Sequence, residues 1–309
     1  ILIRIAERMA AGFVFHWALG NLLIWHQAIA AHPCCCHPNL RKPVTAKRMH
    51  DGETQVTLQQ AAALVAAQFP EWAGLPLAYA GAGGTDNRLI RLGEDMVLRF
   101  PRTPGAAAQM AAEVRWLPWL APQLPLEVPE PLAFGQPGEG YPHPWQVLQW
   151  IAGANALVAP PADDLAASGA LAGFVAALHA IPVPPDAPLM PEGGHLCPRD
   201  AFTRQMIARI TDEADPPEVM RLWHAALALP VWKGPPVLVH ADLHPLNLLT
   251  QQGRLAAVID WGAFCAGDPA HDLICGWMVL GPAGRAHFRN LLGVDEATWA
   301  RGRALAFSK

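Results

Sequence analysis

The chain contains 309 residues, of which 52% are hydrophobic and 16% are charged, and its formal net charge at pH 7 is −4. This length is enough for one large domain or two smaller ones. The 12 tryptophans and the low charged fraction exclude an intrinsically disordered chain, which would be rich in charge and poor in aromatic residues. The negative net charge argues against a nucleic-acid-binding protein that works through a basic surface.

The first 48 residues differ in charge from the rest of the chain. They hold six basic side chains and one acidic one, so residues 49–309 carry a net charge of −9. We interpret residues 1–48 as an N-terminal extension outside the fold, translated upstream of a start at Met49. Two alternatives stay open, namely a signal peptide or membrane anchor in the apolar stretch 10–31, and a folded element.

Short strands and two helices are predicted between residues 49 and 152. The pattern at 57–68 predicts a helix with Thr57 as its N-cap. Strands are predicted at 77–80, 88–92, 96–100 and 145–150, with a hairpin turn at 93–95 and a helix at 105–120. These elements indicate a small α+β lobe.

Helical patterns dominate from residue 153 onward. Helices are predicted at 163–180, 200–211, 216–229 and beyond 270, and short strands at 237–239 and 255–259. We therefore expect a mainly helical second lobe over 153–309. Because the sequence stops within a helical pattern without a stop signal, we expect this lobe to be truncated at its C-terminus.

Three polar residues follow the two short strands of the second lobe. Asp242 lies on a loop directly after strand 237–239, the same loop carries Asn247, and Asp260 follows the next strand. A carboxylate base and two oxygen ligands can therefore converge on one Mg²⁺–phosphate site, because Mg²⁺ prefers oxygen ligands. Kinases use an aspartate base, an asparagine and a later aspartate in this order.

The His-x-Asp-x-His pattern at 240–244 has a second interpretation, as part of a metal hydrolase with histidine ligands. No second histidine pair or bridging carboxylate follows at a suitable spacing. The kinase interpretation is therefore favoured.

From Met49 onward the sequence resembles the aminoglycoside phosphotransferase family, a branch of the protein-kinase-like superfamily. The resemblance rests on five ordered blocks, which are GGTDN at 83–87, LGEDMVLRFPR at 92–102, HADLHPLN at 240–247, VIDWG at 258–262 and GDPAHDL at 267–273. It implies an α+β, two-lobed protein-kinase-like fold, with a small sheet-plus-helix N-lobe over 49–152 and a mainly helical C-lobe over 153–309.

The resemblance also implies roles for residues of the second lobe. Asp242 would orient and deprotonate the hydroxyl of an acceptor, and Asn247 and Asp260 would hold Mg²⁺ on the nucleotide phosphates. His240 and Asp268 would support the catalytic loop.

For the first lobe the resemblance implies nucleotide binding. Kinases place a strand lysine on the phosphates, but no lysine lies between Lys47 and Lys233, so Arg99 takes the matching position with Glu113 as its partner. Arg102 is an alternative to Arg99. The other implied nucleotide-binding residues are Gly83, Gly84, Thr85, Asn87, Trp150 and Ile151.

The implied activity is transfer of the γ-phosphoryl group of ATP or GTP, with Mg²⁺, to a hydroxyl of a small molecule. An aminoglycoside-like acceptor, or another aminated or polyol compound, fits the net negative charge of residues 49–309. Macrolide, homoserine and sugar-amine acceptors stay open, as does a non-catalytic nucleotide-binding pseudo-enzyme. We expect a cytoplasmic protein with no nucleic-acid partner, a membrane contact only through residues 1–48, and, as a further hypothesis, a role in antibiotic resistance.

Overall fold

The computed structural model describes residues 53–80, 86–191, 196–209 and 215–309. Within these ranges the chain divides into two compact units. The first unit comprises residues 53–80, 86–111 and 131–150, and the second comprises residues 112–130 and the described residues from 151 to 309. The segment 112–130, which the sequence assigned to the first lobe, thus clusters with the second unit. The extension at 1–48 lies outside the described residues.

The first unit is a five-stranded antiparallel sheet with one helix of its own. Helix α1 (Leu58–Gln68) begins after Thr57, whose hydroxyl accepts a hydrogen bond from the backbone N–H of Gln60 at 3.1 Å, as the N-cap pattern predicts. The spatial order of the strands is β1-β2-β3-β5-β4. The strands are β1 (Leu77–Tyr79), β2 (Asn87–Leu92), β3 (Met96–Pro101), β4 (Pro131–Gly135) and β5 (Trp145–Gln149).

Aromatic packing fills the core of the first unit. The indole of Trp145 is fully buried and stacks on Phe100, with ring centroids 5.1 Å apart. Tyr141 packs edge-on against Phe100, and its hydroxyl donates to the carbonyl oxygen of Pro101 at 2.5 Å. Gly135 lies against the Trp145 ring, where a Cβ atom would approach within 1.9 Å of it, so only glycine fits there.

The second unit is mainly helical, with short strands near its polar loops. Helix α2 (Pro104–Leu120) enters it at residue 112. Strand β7 pairs with β10, and β6, β8 and β9 form a three-stranded sheet. The elements that follow α2 are β6 (Ala154–Asn155), α3 (Asp164–Ala180), α4 (Asp200–Ile207), α5 (Pro216–Leu227), β7 (Val237–Val239), β8 (Leu248–Gln251), β9 (Arg254–Val258), β10 (Cys265–Gly267), α6 (Ile274–Met278), α7 (Pro282–Leu292) and α8 (Glu296–Phe307).

Helix α3 is the central helix of the second unit. Its apolar side chains are fully buried in the main core, as at Leu171 and Phe174. At its N-terminus the Asp164 carboxylate accepts hydrogen bonds from the backbone N–H groups of Gly281 and Gly284, at 2.9 and 2.6 Å. Since these groups belong to the start of α7, one carboxylate satisfies two helix donors and ties α7 to α3.

The structure confirms most of the predicted elements and adds four strands, of which β6 has only two residues. Strand β4 begins at Pro131 and lies at the sheet edge, where a residue without an N–H is tolerated. Strands β8 and β10 are only four and three residues long, too short to show an alternating pattern. Helix α4 ends at Ile207, before the predicted 211.

Among the described residues, no helix has the length and apolar character needed to cross a membrane. The apolar stretch at 10–31 lies outside these residues.

The surroundings of two helix glycines, Gly302 in α8 and Gly173 in α3, predict opposite effects of glycine-to-alanine substitutions on stability. A Cβ atom on Gly302 would lie 2.7 Å from Cβ of Leu273, so Gly302→Ala is expected to lower the free energy of unfolding by about 1–3 kcal/mol. A Cβ atom on Gly173 in α3 would have no neighbour within 4 Å, so Gly173→Ala is expected to raise the free energy of unfolding by about 0.5–1 kcal/mol. Urea denaturation measures both, and equal stability of the two variants would contradict this packing.

Candidate active site

The loop after β7 is held by one buried carboxylate. Asp272 is fully buried, and its Oδ2 and Oδ1 accept hydrogen bonds from the backbone N–H groups of His240 and Ala241, at 3.1 and 2.8 Å. Nε2 of His179, on α3, lies 3.1 Å from the same Oδ2. Ala241 has a φ of +63°, a left-handed conformation that costs about 1–3 kcal/mol in a residue with a side chain. Asp272 offsets that cost and so fixes the turn that presents Asp242.

The His240 side chain braces the same loop. Its Nδ1 accepts a hydrogen bond from the backbone N–H of Asp242 at 3.3 Å, so the proton lies on Nε2, which donates to the carbonyl oxygen of Ile259 at 3.2 Å. The ring packs edge-on against Trp261. Burial lowers the pKa of His240, so the imidazole is neutral and serves to connect the loop to the end of β9.

Asn247 connects the loop to the following strand pair. Its Nδ2 donates to the backbone oxygen and to Oδ2 of Asp242, both at 3.0 Å. Its own carbonyl oxygen accepts from the backbone N–H of Ile259 at 2.9 Å, one residue before Asp260. The structure therefore brings Asp242 and Asn247 together and sets the backbone of Asn247 beside the start of the Asp260 turn.

The Asp242 carboxylate lies among hydrogen-bond donors. Burial by itself would raise its pKa, but the hydrogen bond from His244 and the positive charge of Lys309 hold that pKa well below its usual range. Nζ of Lys309 donates to Oδ1, and Nε2 of His244 lies 3.3 Å from Oδ2. Asp242 is therefore ionised at neutral pH. The spacing of the sequence motifs gave no indication of the contact with Lys309.

The donor set fits Mg²⁺ better than a metal that prefers nitrogen or sulfur. In the described part of the chain, no group of three or more His, Cys, Asp or Glu side chains is placed to hold a metal ion. With Nδ2 of Asn247 turned to Asp242, its Oδ1 is the atom left to ligate a cation. Asp260 has a φ of +62°, so its turn is also fixed in a left-handed conformation. One carboxylate and one amide oxygen suit Mg²⁺, which completes its shell with phosphate and water.

The Asp268 carboxylate lies at the contact with α8. Its carboxylate accepts hydrogen bonds from Nε and Nη2 of Arg301, at 2.7 and 3.1 Å, and from the backbone N–H of Ala270 at 2.9 Å. It therefore anchors α8 and begins the short 3-10 helix Pro269–Leu273. The hydrogen bonds to the loop after β7 come from Asp272, four residues further along the same motif.

In the first unit, Arg99 on β3 is buried and fixed by a neighbouring strand. The side-chain oxygen of Asn87, oriented toward Arg99, accepts hydrogen bonds from Nη2 and Nε at 2.9 and 3.1 Å. Arg102, the alternative phosphate ligand, is instead paired with the buried Glu53 at 3.3 Å.

The remaining predicted nucleotide-binding residues fall in three places. Trp150 is the last residue of the first unit, and the guanidinium of Arg91 lies 4.1 Å from its ring centroid. Ile151 and Glu113 are buried residues of the second unit, where Ile151 packs against Leu249 and Ala257. The predicted residues Gly83, Gly84 and Thr85 lie outside the described residues.

Loss of the Asp272 charge is expected to destabilise the loop. In Asp272→Asn, an amide N–H₂ would replace one of the oxygens that accept backbone N–H bonds, so the free energy of unfolding should fall by about 1.5–3 kcal/mol. Asp163→Asn is the control, because asparagine caps α3 as well as aspartate does and should change stability by under about 0.5 kcal/mol. Thermal unfolding of both variants gives the comparison, and an unchanged Asp272→Asn protein would refute this role.

The ion pair of Lys309 with Asp242 can be tested by a double-mutant cycle of Lys309→Gln and Asp242→Asn. We expect a coupling free energy of about 1 kcal/mol between the two side chains. The folded-state pKa of Asp242 is depressed, so the pair stabilises above the unfolded-state pKa of about 3.9 and is lost as the pH falls toward the folded-state value. Chemical denaturation at pH 7 and pH 5 should therefore give equal couplings. A coupling near zero at pH 7 would contradict the contact.

Comparison with known proteins places the chain in a family. Residues 80–305 match the model of the phosphotransferase enzyme family, APH. The protein is 28% identical over 207 residues to the uncharacterized protein YcbJ of Bacillus subtilis (strain 168), a match that spans 61% of this chain and 64% of that relative. The chain therefore spans less than two thirds of the relative's length.

Solved structures share the fold. The GDP and kanamycin complex of APH(2")-IIia superposes with a TM-score of 0.65 and 23% identity, covering 79% of this chain and 86% of that one. The apoenzyme of macrolide 2'-phosphotransferase MphH from Brachybacterium faecium gives a TM-score of 0.56 and 25% identity, over 81% and 88%. The α+β, two-lobed kinase-like fold is thus confirmed. Together with the match over residues 80–305, it shows that this chain belongs to the phosphotransferase enzyme family.

Proposed function

We propose that this protein transfers the γ-phosphoryl group of ATP or GTP to a hydroxyl group of a small molecule. The observation that carries the proposal is the Asp242 carboxylate, held ionised on a loop whose Asn247 amide fixes its Oδ2. Membership of the phosphotransferase enzyme family supports the reaction, and structures that are similar in fold are GDP and ADP complexes.

Asp242 acts as the base in this proposal. The acceptor oxygen attacks the γ-phosphorus, the bond from that phosphorus to the β–γ bridging oxygen breaks, and the nucleoside diphosphate leaves. The hydroxyl proton passes to Oδ1 of the Asp242 carboxylate, which accepts from Lys309 and keeps a second lone pair, whereas Oδ2 lies against both Asn247 and His244. A base with a depressed pKa takes the proton late, which suits the loose transition state of phosphoryl transfer.

The phosphates need positive charge from several groups. Asn247 and Asp260 would hold Mg²⁺, which supplies charge to neutralise the phosphate oxygens. In the first unit, Arg99 is oriented by Asn87 and would bind the α- and β-phosphates through its planar fork. Gly83, Gly84 and Thr85 complete the proposed phosphate loop, and Trp150 and Ile151 are the proposed neighbours of the base.

The acceptor class and location belong to the same proposal. An aminated or polyol acceptor is supported by the net charge of −9 over residues 49–309 and by the similarity to aminoglycoside and macrolide phosphotransferases. The cytoplasm is the proposed location because the donor nucleotides are found there. Residues 1–48 are proposed to lie outside the enzyme.

Asp242→Asn tests the base. We expect kcat for transfer to an acceptor, followed by mass spectrometry of the phosphorylated product, to fall by about 10²–10⁴-fold. The dissociation constant for the Mg-nucleotide should change by less than about threefold, because the variant keeps the shape of the side chain and the Mg²⁺ ligands. Asp215→Asn, at an exposed aspartate, is the control and should retain full activity. Undiminished turnover by Asp242→Asn would remove Asp242 as the base.

A further inference from the structure

The residues after helix α8 bring an ammonium group to the Asp242 carboxylate. Nζ of Lys309 donates a hydrogen bond to Oδ1 of Asp242, which in the described part of the chain is the only carboxylate that this ammonium contacts. An ammonium carries three N–H groups, so two of them remain for other acceptors. The side chain of Lys309 is 20% exposed, so a ligand can reach these groups.

The backbone that leads to Lys309 is fixed by α8. Leu305 is buried in the main core, and Arg301 holds the helix through its bidentate pair with Asp268. Directly before Lys309, the buried hydroxyl of Ser308 donates to the carbonyl oxygen of Leu305 at 2.9 Å. An ion pair between freely moving surface side chains contributes little, because ordering both of them offsets the attraction. Here the helix already fixes the backbone, so only the side chain of Lys309 has to be ordered.

The two oxygens of Asp242 have different neighbours. Oδ2 lies against Nδ2 of Asn247 and Nε2 of His244, which belong to the same loop as Asp242. Oδ1 accepts from Lys309, and in the proposed reaction its second lone pair takes the proton of the acceptor hydroxyl. The ammonium and the reacting hydroxyl thus share one carboxylate oxygen, which places them about 5 Å apart. An oxygen of the phosphoryl group that this hydroxyl attacks is then within reach of Nζ.

The charge of the base makes a cation at this place favourable. An ionised carboxylate repels the negative oxygens of a phosphoryl group, and solvent screens this repulsion less where the groups are partly buried. Asp242 is partly buried and ionised, so a phosphoryl group that approaches it meets this repulsion. The ammonium of Lys309 offsets the charge of the carboxylate and can also donate to the phosphoryl oxygens.

We infer that Lys309 is a further catalytic residue, which donates one hydrogen bond to Oδ1 of Asp242 and another to an oxygen of the γ-phosphoryl group during its transfer. This inference rests on the proposed phosphoryl transfer. The bonds made and broken are those of that reaction, and Lys309 keeps its proton throughout. The phosphorus moves toward the hydroxyl oxygen at Asp242 as it leaves the nucleotide. The contact with Lys309 is therefore stronger in the transition state than with the bound nucleotide, so it raises kcat more than nucleotide affinity.

Binding of a phosphoryl mimic tests this contact without an acceptor. Aluminium fluoride bound next to Mg-ADP or Mg-GDP imitates a phosphoryl group in transfer, and calorimetry on the full chain gives the dissociation constants with and without it. We expect Lys309→Met to raise the constant for the fluoride complex by about tenfold or more and that for the Mg-nucleotide alone by less than about threefold. Lys309→Arg, which keeps the positive charge, should restore most of the loss.

Two further variants complete the test. Lys233→Met removes an exposed lysine before β7 and should leave both dissociation constants unchanged. In an Asp242→Asn background, Lys309→Met should still weaken binding of the fluoride complex, because the contact with the phosphoryl group does not depend on the base. If Lys309 acted only through Asp242, the second substitution would have no further effect. Thermal unfolding would verify that every variant folds.

The outcomes separate this inference from the proposed function. Equal affinity of the original chain and Lys309→Met for the fluoride complex, or no effect of Lys309→Met in the Asp242→Asn background, would overturn the contact. If an acceptor is phosphorylated all the same, the proposed transfer stands. Binding of the fluoride complex that depends on Lys309, without transfer from Mg-ATP or Mg-GTP to an acceptor or to water, would support the contact and count against the transfer. Failure to bind either Mg-nucleotide would overturn both.

Discussion

The buried carboxylate of Asp272 is the constraint on which the conformation of the loop after β7 depends. It accepts two backbone hydrogen bonds at the point where Ala241 takes a left-handed conformation, and it contacts His179 of the central helix α3. Without it, two buried N–H groups would lose their acceptor, each at a cost of about 1–3 kcal/mol. The position of Asp242, the proposed base, is thus set by a residue that holds the backbone directly before it.

The loop and the strand pair that follows it form one connected polar network. His240 joins the loop to the end of β9, and Asn247 joins Asp242 to the backbone beside Asp260. Asp268 serves a separate purpose, since its bidentate pair with Arg301 anchors α8.

Charge around Asp242 decides its protonation. The ammonium of Lys309 and the hydrogen bond from His244 keep the carboxylate ionised. The partly buried ammonium of Lys309 acts on Asp242 more strongly than distant exposed carboxylates do, because solvent screens the distant charges.

Periodicity, capping residues and motif spacing are local properties, so they predicted most of the helices, six of the strands and the order of Asp242, Asn247 and Asp260 along the chain. The different contacts of Asp268 and Asp272 could not be predicted, because both carboxylates lie in one short motif and packing decides which of them accepts hydrogen bonds from the loop after β7. Strands β8 and β10 depend on pairing partners and carry no local pattern of their own. Lys309 lies 67 positions from Asp242, so only folding of the chain brings its ammonium to that carboxylate.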